Sequence, residues 1–135
     1  MNIYEQFASD GLIDEAKTFP LSESAEITML PTGGEKARRA FEKMMEPYGP
    51  RLNAGGKLTD EENKKLNARF YAEYIVKGWK GIKGKDNEEI TFSKENALAL
   101  FTDEKLAGFF ALIIRMSQND EGFKAAAEAT DEGNS

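Results

Sequence analysis

Twenty-four Asp and Glu residues carry nearly all the chemistry this sequence could perform, because it contains neither His nor Cys. Without those two residue types there is no Ser/His or Cys/His nucleophile pair and no imidazole or thiolate zinc site. What remains is carboxylate chemistry, either an acid pair of the glycosidase kind or a Mg²⁺ site. The candidate acids do not assemble into one. Glu61, Glu62 and Glu73 form no obvious acid pair, and the first two are accounted for by a helix start. Asp86-Asn-Glu-Glu89 lacks the twelve-residue calcium-loop pattern and reads as a solvated turn. Thr32-Gly-Gly-Glu-Lys36 lacks the glycine spacing and the Gly-Lys-Ser/Thr ending of a phosphate loop. The expectation is a non-enzymatic protein with no catalytic residues, no metal and no cofactor.

Charge sharpens that expectation. The chain of 135 residues has a net charge of −6. Six acids and one base precede Gly33, thirteen bases and seven acids fill 33–85, and eleven acids and four bases follow. Overall acidity argues against nucleic acid as the main partner, since phosphate binding needs a concentrated positive face. The alternating blocks could neutralise one another within one fold or pair unlike regions of neighbouring copies. No stretch approaches the ~20 apolar residues needed to cross a bilayer, and the start lacks a signal-peptide pattern. A soluble protein without a membrane partner is expected, and the lack of Cys suits a reducing compartment.

The elements that would carry any interaction surface can be placed from pattern. The opening Met1–Ser9 could form a helical turn or two anchored by Tyr4 and Phe7. Alternation of Ile27 and Met29 with Glu26 and Thr28 predicts a strand, and residues 17–31 as a whole a β-hairpin with Pro20 on an edge. Thr32 and Glu35 suggest a capping box opening a helix over 35–46, with Ala37, Phe41, Met44 and Met45 on one face and Pro47 ending it. Thr59 and Glu62 form a second box, with Leu58 at the staple position, opening a helix over 59–78 stopped by Gly78. Trp79–Ile82 and Glu89–Phe92 flank a hairpin or ordered loop. Ser93 caps a helix over 93–101, and Thr102 or Asp103 caps another over 104–118. The predicted fold is mostly α with a small N-terminal β-hairpin (α+β), one domain over 1–118, followed by an acidic, partly disordered tail over 119–135 that forms a fraying helix ending in disorder.

The helix over 104–118 is apolar on nearly every side, from Leu106 through Phe109, Phe110, Leu112, Ile113 and Ile114 to Met116. Such a helix is either wrapped as a central core element or left with a patch that implies a partner.

The run Phe70-Tyr-Ala-Glu-Tyr-Ile-Val-Lys-Gly-Trp-Lys-Gly-Ile82, its polar turn, and Ile90-Thr-Phe-Ser-Lys-Glu-Asn-Ala-Leu-Ala-Leu100 resemble the tail assembly chaperones of long-tailed, siphovirus-type bacteriophages. Tyr4–Asp10 and Ile27–Pro47 resemble that family's opening, strand, Gly-Gly turn and first helix, while Glu35 stands where many members carry Asn. The resemblance implies Trp79, Gly81, Phe92, Ser93 and Asn96 as motif residues. It also implies a role in coating apolar helical segments of the tape measure protein, keeping them soluble in the host bacterial cytoplasm, recruiting tail tube protein and self-associating. The alternative is a structural subunit of the particle, such as a head–tail connector or tail completion protein. Phe109, Phe110, Ile113, Ile114 and Met116, with the adaptable Met44 and Met45, are the expected partner-binding residues.

Overall fold

A computed structural model describes residues 13–133, with side chains from 13 to 129; the turn expected around Tyr4 and Phe7 lies outside the described residues. The architecture is mostly helical with one small antiparallel sheet, as the patterning predicts. Strands β1 (Lys17–Pro20) and β2 (Glu26–Met29) form the expected hairpin, with Thr18 opposite Thr28 and their hydroxyls 2.7 Å apart. Pro20 lies on an edge strand, where its missing N–H breaks no ladder.

The sheet has a third strand that periodicity does not reveal. Helix α1 (Glu35–Met45) passes through a 3₁₀ turn (Glu46–Tyr48) and a short helix α2 (Gly49–Asn53) to helix α3 (Asp60–Phe70). The helix expected to run to Gly78 instead widens into a π-turn at Tyr71–Ile75 and leaves helical geometry at Val76. Strand β3 (Val76–Lys80) then pairs antiparallel with β2, setting Gly78 opposite Thr28, so Gly78 is a strand residue and no helix stop. The cause is local and tertiary together. Ile75 and Val76 are β-branched, and the sheet face bearing the buried Ile27 and Met29 gains a hydrogen-bonding neighbour on that side. Leu30 N–H donates to the Ile75 carbonyl at 2.9 Å and seals the junction.

Two helix starts differ in how they are held. At α3 the capping box is complete: Thr59 Oγ1 accepts from Glu62 N–H at 3.1 Å, and Glu62 Oε1 accepts from Thr59 N–H at 3.0 Å. At α1 the expected Thr32/Glu35 box does not form. Gly34 is the N-cap, and the side chain that reaches the first turn belongs to Asp14, whose Oδ2 accepts from Lys36 N–H at 3.2 Å. Thr32 is diverted: its hydroxyl donates to the Ser117 carbonyl at 3.1 Å, tying the start of α1 to the end of a helix 85 positions away.

Helix α4 (Lys94–Thr102) starts on Ser93, and Asp103 caps the 3₁₀ turn Glu104–Leu106 that leads into α5 (Ala107–Ser117). α5 packs its heavier side inward. Ile113 and Ser117 are fully buried, and Phe110 stacks on Phe101 at 4.9 Å and meets Tyr71 edge-on at 5.4 Å. Ser117 Oγ donates to the Ile114 carbonyl, so the buried Tyr71 hydroxyl donates to Ser117 Oγ at 2.9 Å. Burial holds the Tyr71 phenol above its ordinary pKa.

The predicted tail is a helix, α6 (Asp120–Gly133). Asn119 Oδ1 accepts from Gly122 N–H, and Asp120 and Glu121 occupy the positive first turn. Phe123 is fully buried and meets Phe19 of β1 edge-on at 4.9 Å. A helix is the expected form of this stretch, and its aromatic anchor and capped start hold it against β1.

Candidate interaction groove

The residues expected to meet a partner separate into core and surface. Ile113 is withdrawn completely into the core, and Met44 is buried at 9 % exposure, so neither presents a surface to another molecule. Phe109, Phe110, Ile114 and Met116 are half-buried and pack against the core. What α5 shows to solvent is Ala107, Gly108, Ala111, Leu112 and Arg115. The helix is apolar all round by residue type, but its outer side is built of small residues with Leu112 as the one large exception. The core-helix alternative therefore accounts for most of α5.

The apolar surface lies instead between α1 and α3. The stripe Ala37, Phe41, Met44 and Met45 is too wide for one buried contact: Ala37 and Met44 face the core, Met45 is half-buried, and Phe41 is 46 % exposed. Phe41 leans edge-on against Phe70 at 5.5 Å, which holds its ring at the surface. Across from it stand Leu58, at the staple position before α3, and the α3 residues Asn63, Lys64, Leu66 and Asn67. Together they line an open groove of about 420 Å³ with Leu66 in its floor and amides along one wall. Of the expected partner-binding residues only Met45 lines it. Phe41, on the apolar face of α1, and Leu58, at the staple position, carry the same signal in the sequence.

Ion pairs run along α1, and another ties the connection between the two helices to α3. Glu35 is shared by Arg38 and Arg39, and Arg38 also reaches Glu42 one turn on. The Arg38 hydrogen bond holds the Glu35 carboxyl below its usual range. Arg51, from the connection, clamps Glu62 with a 2.9 Å bond and also donates to the Lys57 carbonyl at 2.8 Å. That clamp, with the Thr59 N–H, pulls the Glu62 carboxyl down to about 2. These contacts fix the loop that presents Leu58.

The motif residues form a separate, structural corner. Trp79 Nε1 donates to the Ile90 carbonyl at 2.7 Å and its ring meets Phe92 edge-on at 4.9 Å. Asn96 Nδ2 donates to the Thr91 carbonyl at 2.8 Å, and Ser93 caps α4. Gly81 adopts a positive φ of 78°, and a side chain there would run into the Ser24 carbonyl of the β1–β2 turn. Trp79 is thus an anchor between strand and loop.

Among the described residues no three carboxylates converge where they could hold a metal ion, and no helix is long and apolar enough to cross a membrane. Glu62 is engaged by Arg51, and Glu73 by Arg69 at 3.4 Å. What the surface can do chemically is bind apolar side chains between two helices. A family model described as YdaY prophage protein matches residues 32–134, which takes in the groove, the Trp79 corner and α6. Comparison with curated proteins and with solved structures gives no match.

Proposed function

The chain belongs to the YdaY prophage protein family, and we propose that it serves phage assembly as a tail assembly chaperone, a non-enzymatic holder of apolar helical segments. The observation that carries the reading is the groove between α1 and α3, lined by the exposed Phe41 and the half-buried Met45 and Leu58. An amphipathic helix laid into such a groove buries its anchor side chains, each worth about 1.5–3 kcal/mol when fully covered. Partial coverage and the cost of association keep the binding reversible, as a chaperone requires. The client in this reading is the tape measure protein of the same phage, in the bacterial cytoplasm, with tail tube subunits recruited to the complex and copies of the chain associating along the client.

The test is co-expression with a tape measure protein of the same phage, followed by size-exclusion chromatography with light scattering. A soluble co-eluting complex is expected, lost in a Phe41→Ser, Met45→Ser variant that keeps its thermal transition. A tape measure protein that stays insoluble, together with this chain present in purified particles, would replace the chaperone by a head–tail connector or tail completion subunit.

A further inference from the structure

The groove's setting also bears on which helix would occupy it. Over 35–70 there are nine bases and six acids, and the acids are largely taken. Glu35, Glu42 and Glu62 are engaged by Arg38, Arg39 and Arg51. Asp60 and Glu61 lie in the first turn of α3, where the helix dipole favours them. The lysines are not so engaged. Lys64 lines the groove, Lys57 immediately precedes Leu58, and neither has an ion pair among the described residues. The groove is thus an apolar trough with the unpaired Lys64 in its lining and the exposed Lys57 next to Leu58 along the chain.

Among the described residues a second copy of this chain offers no large exposed apolar side chain set among acids. Its large exposed apolar residues are Phe41 and Leu52, which belong to the same cationic region, and Leu112, which stands beside Arg115. Joining two such faces would set like charges together. A polyanion without apolar anchors would leave Phe41, Met45 and Leu58 uncovered.

We infer that the groove takes an acidic amphipathic helix from another protein, with an apolar stripe seated on Phe41, Met45 and Leu58 and carboxylates flanking it toward Lys57 and Lys64. The inference rests on the reading of the groove as the client site and specifies the client segment. Lysine stems lie along the apolar walls while their ammonium groups reach the flanking carboxylates. The charges select among clients and speed encounter more than they add affinity.

The experiment uses the full chain and two designed helical peptides of about 20 residues, long enough to hold a helix. Both carry the same leucine stripe, one flanked by glutamates and the other by lysines. Fluorescence anisotropy at low salt is expected to show the glutamate peptide binding about tenfold more tightly, an advantage that shrinks with added salt. Lys57→Glu with Lys64→Glu, both exposed positions, should reverse the preference, and Phe41→Ser should weaken both peptides. Equal binding, a preference for the lysine peptide, or a preference for single-stranded RNA of the same length would overturn the inference. If neither peptide binds while the tape measure protein still co-elutes, the groove assignment fails and the chaperone reading stands. If the glutamate peptide binds as expected while the tape measure protein stays insoluble, the groove chemistry stands and the chaperone reading fails.

Discussion

Three glycines separate two costs that are usually confounded, and alanine at each should give a different result. Gly81 has φ +78°, and a Cβ there would overlap the Ser24 carbonyl oxygen with the carbonyl carbon at 2.9 Å. Gly55 has φ +86° with nothing within 4 Å, and Gly78 has open space and no positive φ. Left-handed backbone costs an ordinary residue roughly 1–2 kcal/mol. Forcing a group into occupied space adds about 1–3 kcal/mol. The Ser24 turn cannot easily yield, because Leu21 N–H and Ser22 N–H both donate to the Ala25 carbonyl, at 2.8 and 3.3 Å. Gly81→Ala is therefore expected to lose about 2–5 kcal/mol, and Gly55→Ala only the roughly 1–2 kcal/mol of strain. Gly78→Ala should be neutral or gain up to about 1 kcal/mol through a less flexible unfolded chain. Urea unfolding reads all three, and the single tryptophan, Trp79, lies two residues from Gly81 and reports the corner directly. With m near 1–3 kcal/mol/M, Gly81→Ala should lower the midpoint by about 1 M or more. If Gly81→Ala and Gly55→Ala lose the same amount, the approach to Ser24 carries no cost and the reasoning is wrong.

Three further outcomes follow from the packing and the charges. Glu62 has a folded pKa near 2, below its unfolded value near 4.3, so its contribution is present above that unfolded value and is lost as pH falls from about 5 toward 2. Melting curves across that range should show a shallower acid loss in Glu62→Gln, and an unchanged slope would refute the Arg51 clamp. Phe123→Ala should cost about 3–5 kcal/mol and speed amide exchange at Lys17–Phe19, because Phe19 loses its ring partner. Ile113→Ser should unfold or severely destabilise the chain, by about 3 kcal/mol or more, whereas Leu112→Ser should stay within about 0.5 kcal/mol of the native protein by thermal melt.

Where pattern and chemistry coincide, the sequence was legible. The β1–β2 hairpin, the edge proline, the Thr59/Glu62 box and the Ser93 cap each follow from a short, local rule and appear as expected. The misses share a cause in long-range competition. Thr32 has a capping residue's identity but finds Ser117 across the fold, while Asp14 arrives to take its place. The stretch to Gly78 has helical spacing, but β2 recruits its end as a strand. The groove was half visible: α1's apolar stripe is in the sequence, but which members it buries depends on where α3 crosses. The residue types of α5 do not say that Phe109, Phe110, Ile113, Ile114 and Met116 turn toward the core and leave Ala107, Ala111 and Leu112 outside.

The contact between Phe19 and Phe123 sets a timetable for biosynthesis. The two rings are 104 residues apart, and at 5–20 residues per second a ribosome needs roughly 5–20 s to deliver the second after the first. Through that interval the hairpin's outer strand has no ring to cover Phe19, in a cell where neighbouring polysomes are making the same sequence. Pro20 withholds one backbone donor from that strand for the whole wait. The proline thus leaves an approaching sibling chain one fewer donor to pair with on this edge, before and after α6 is made.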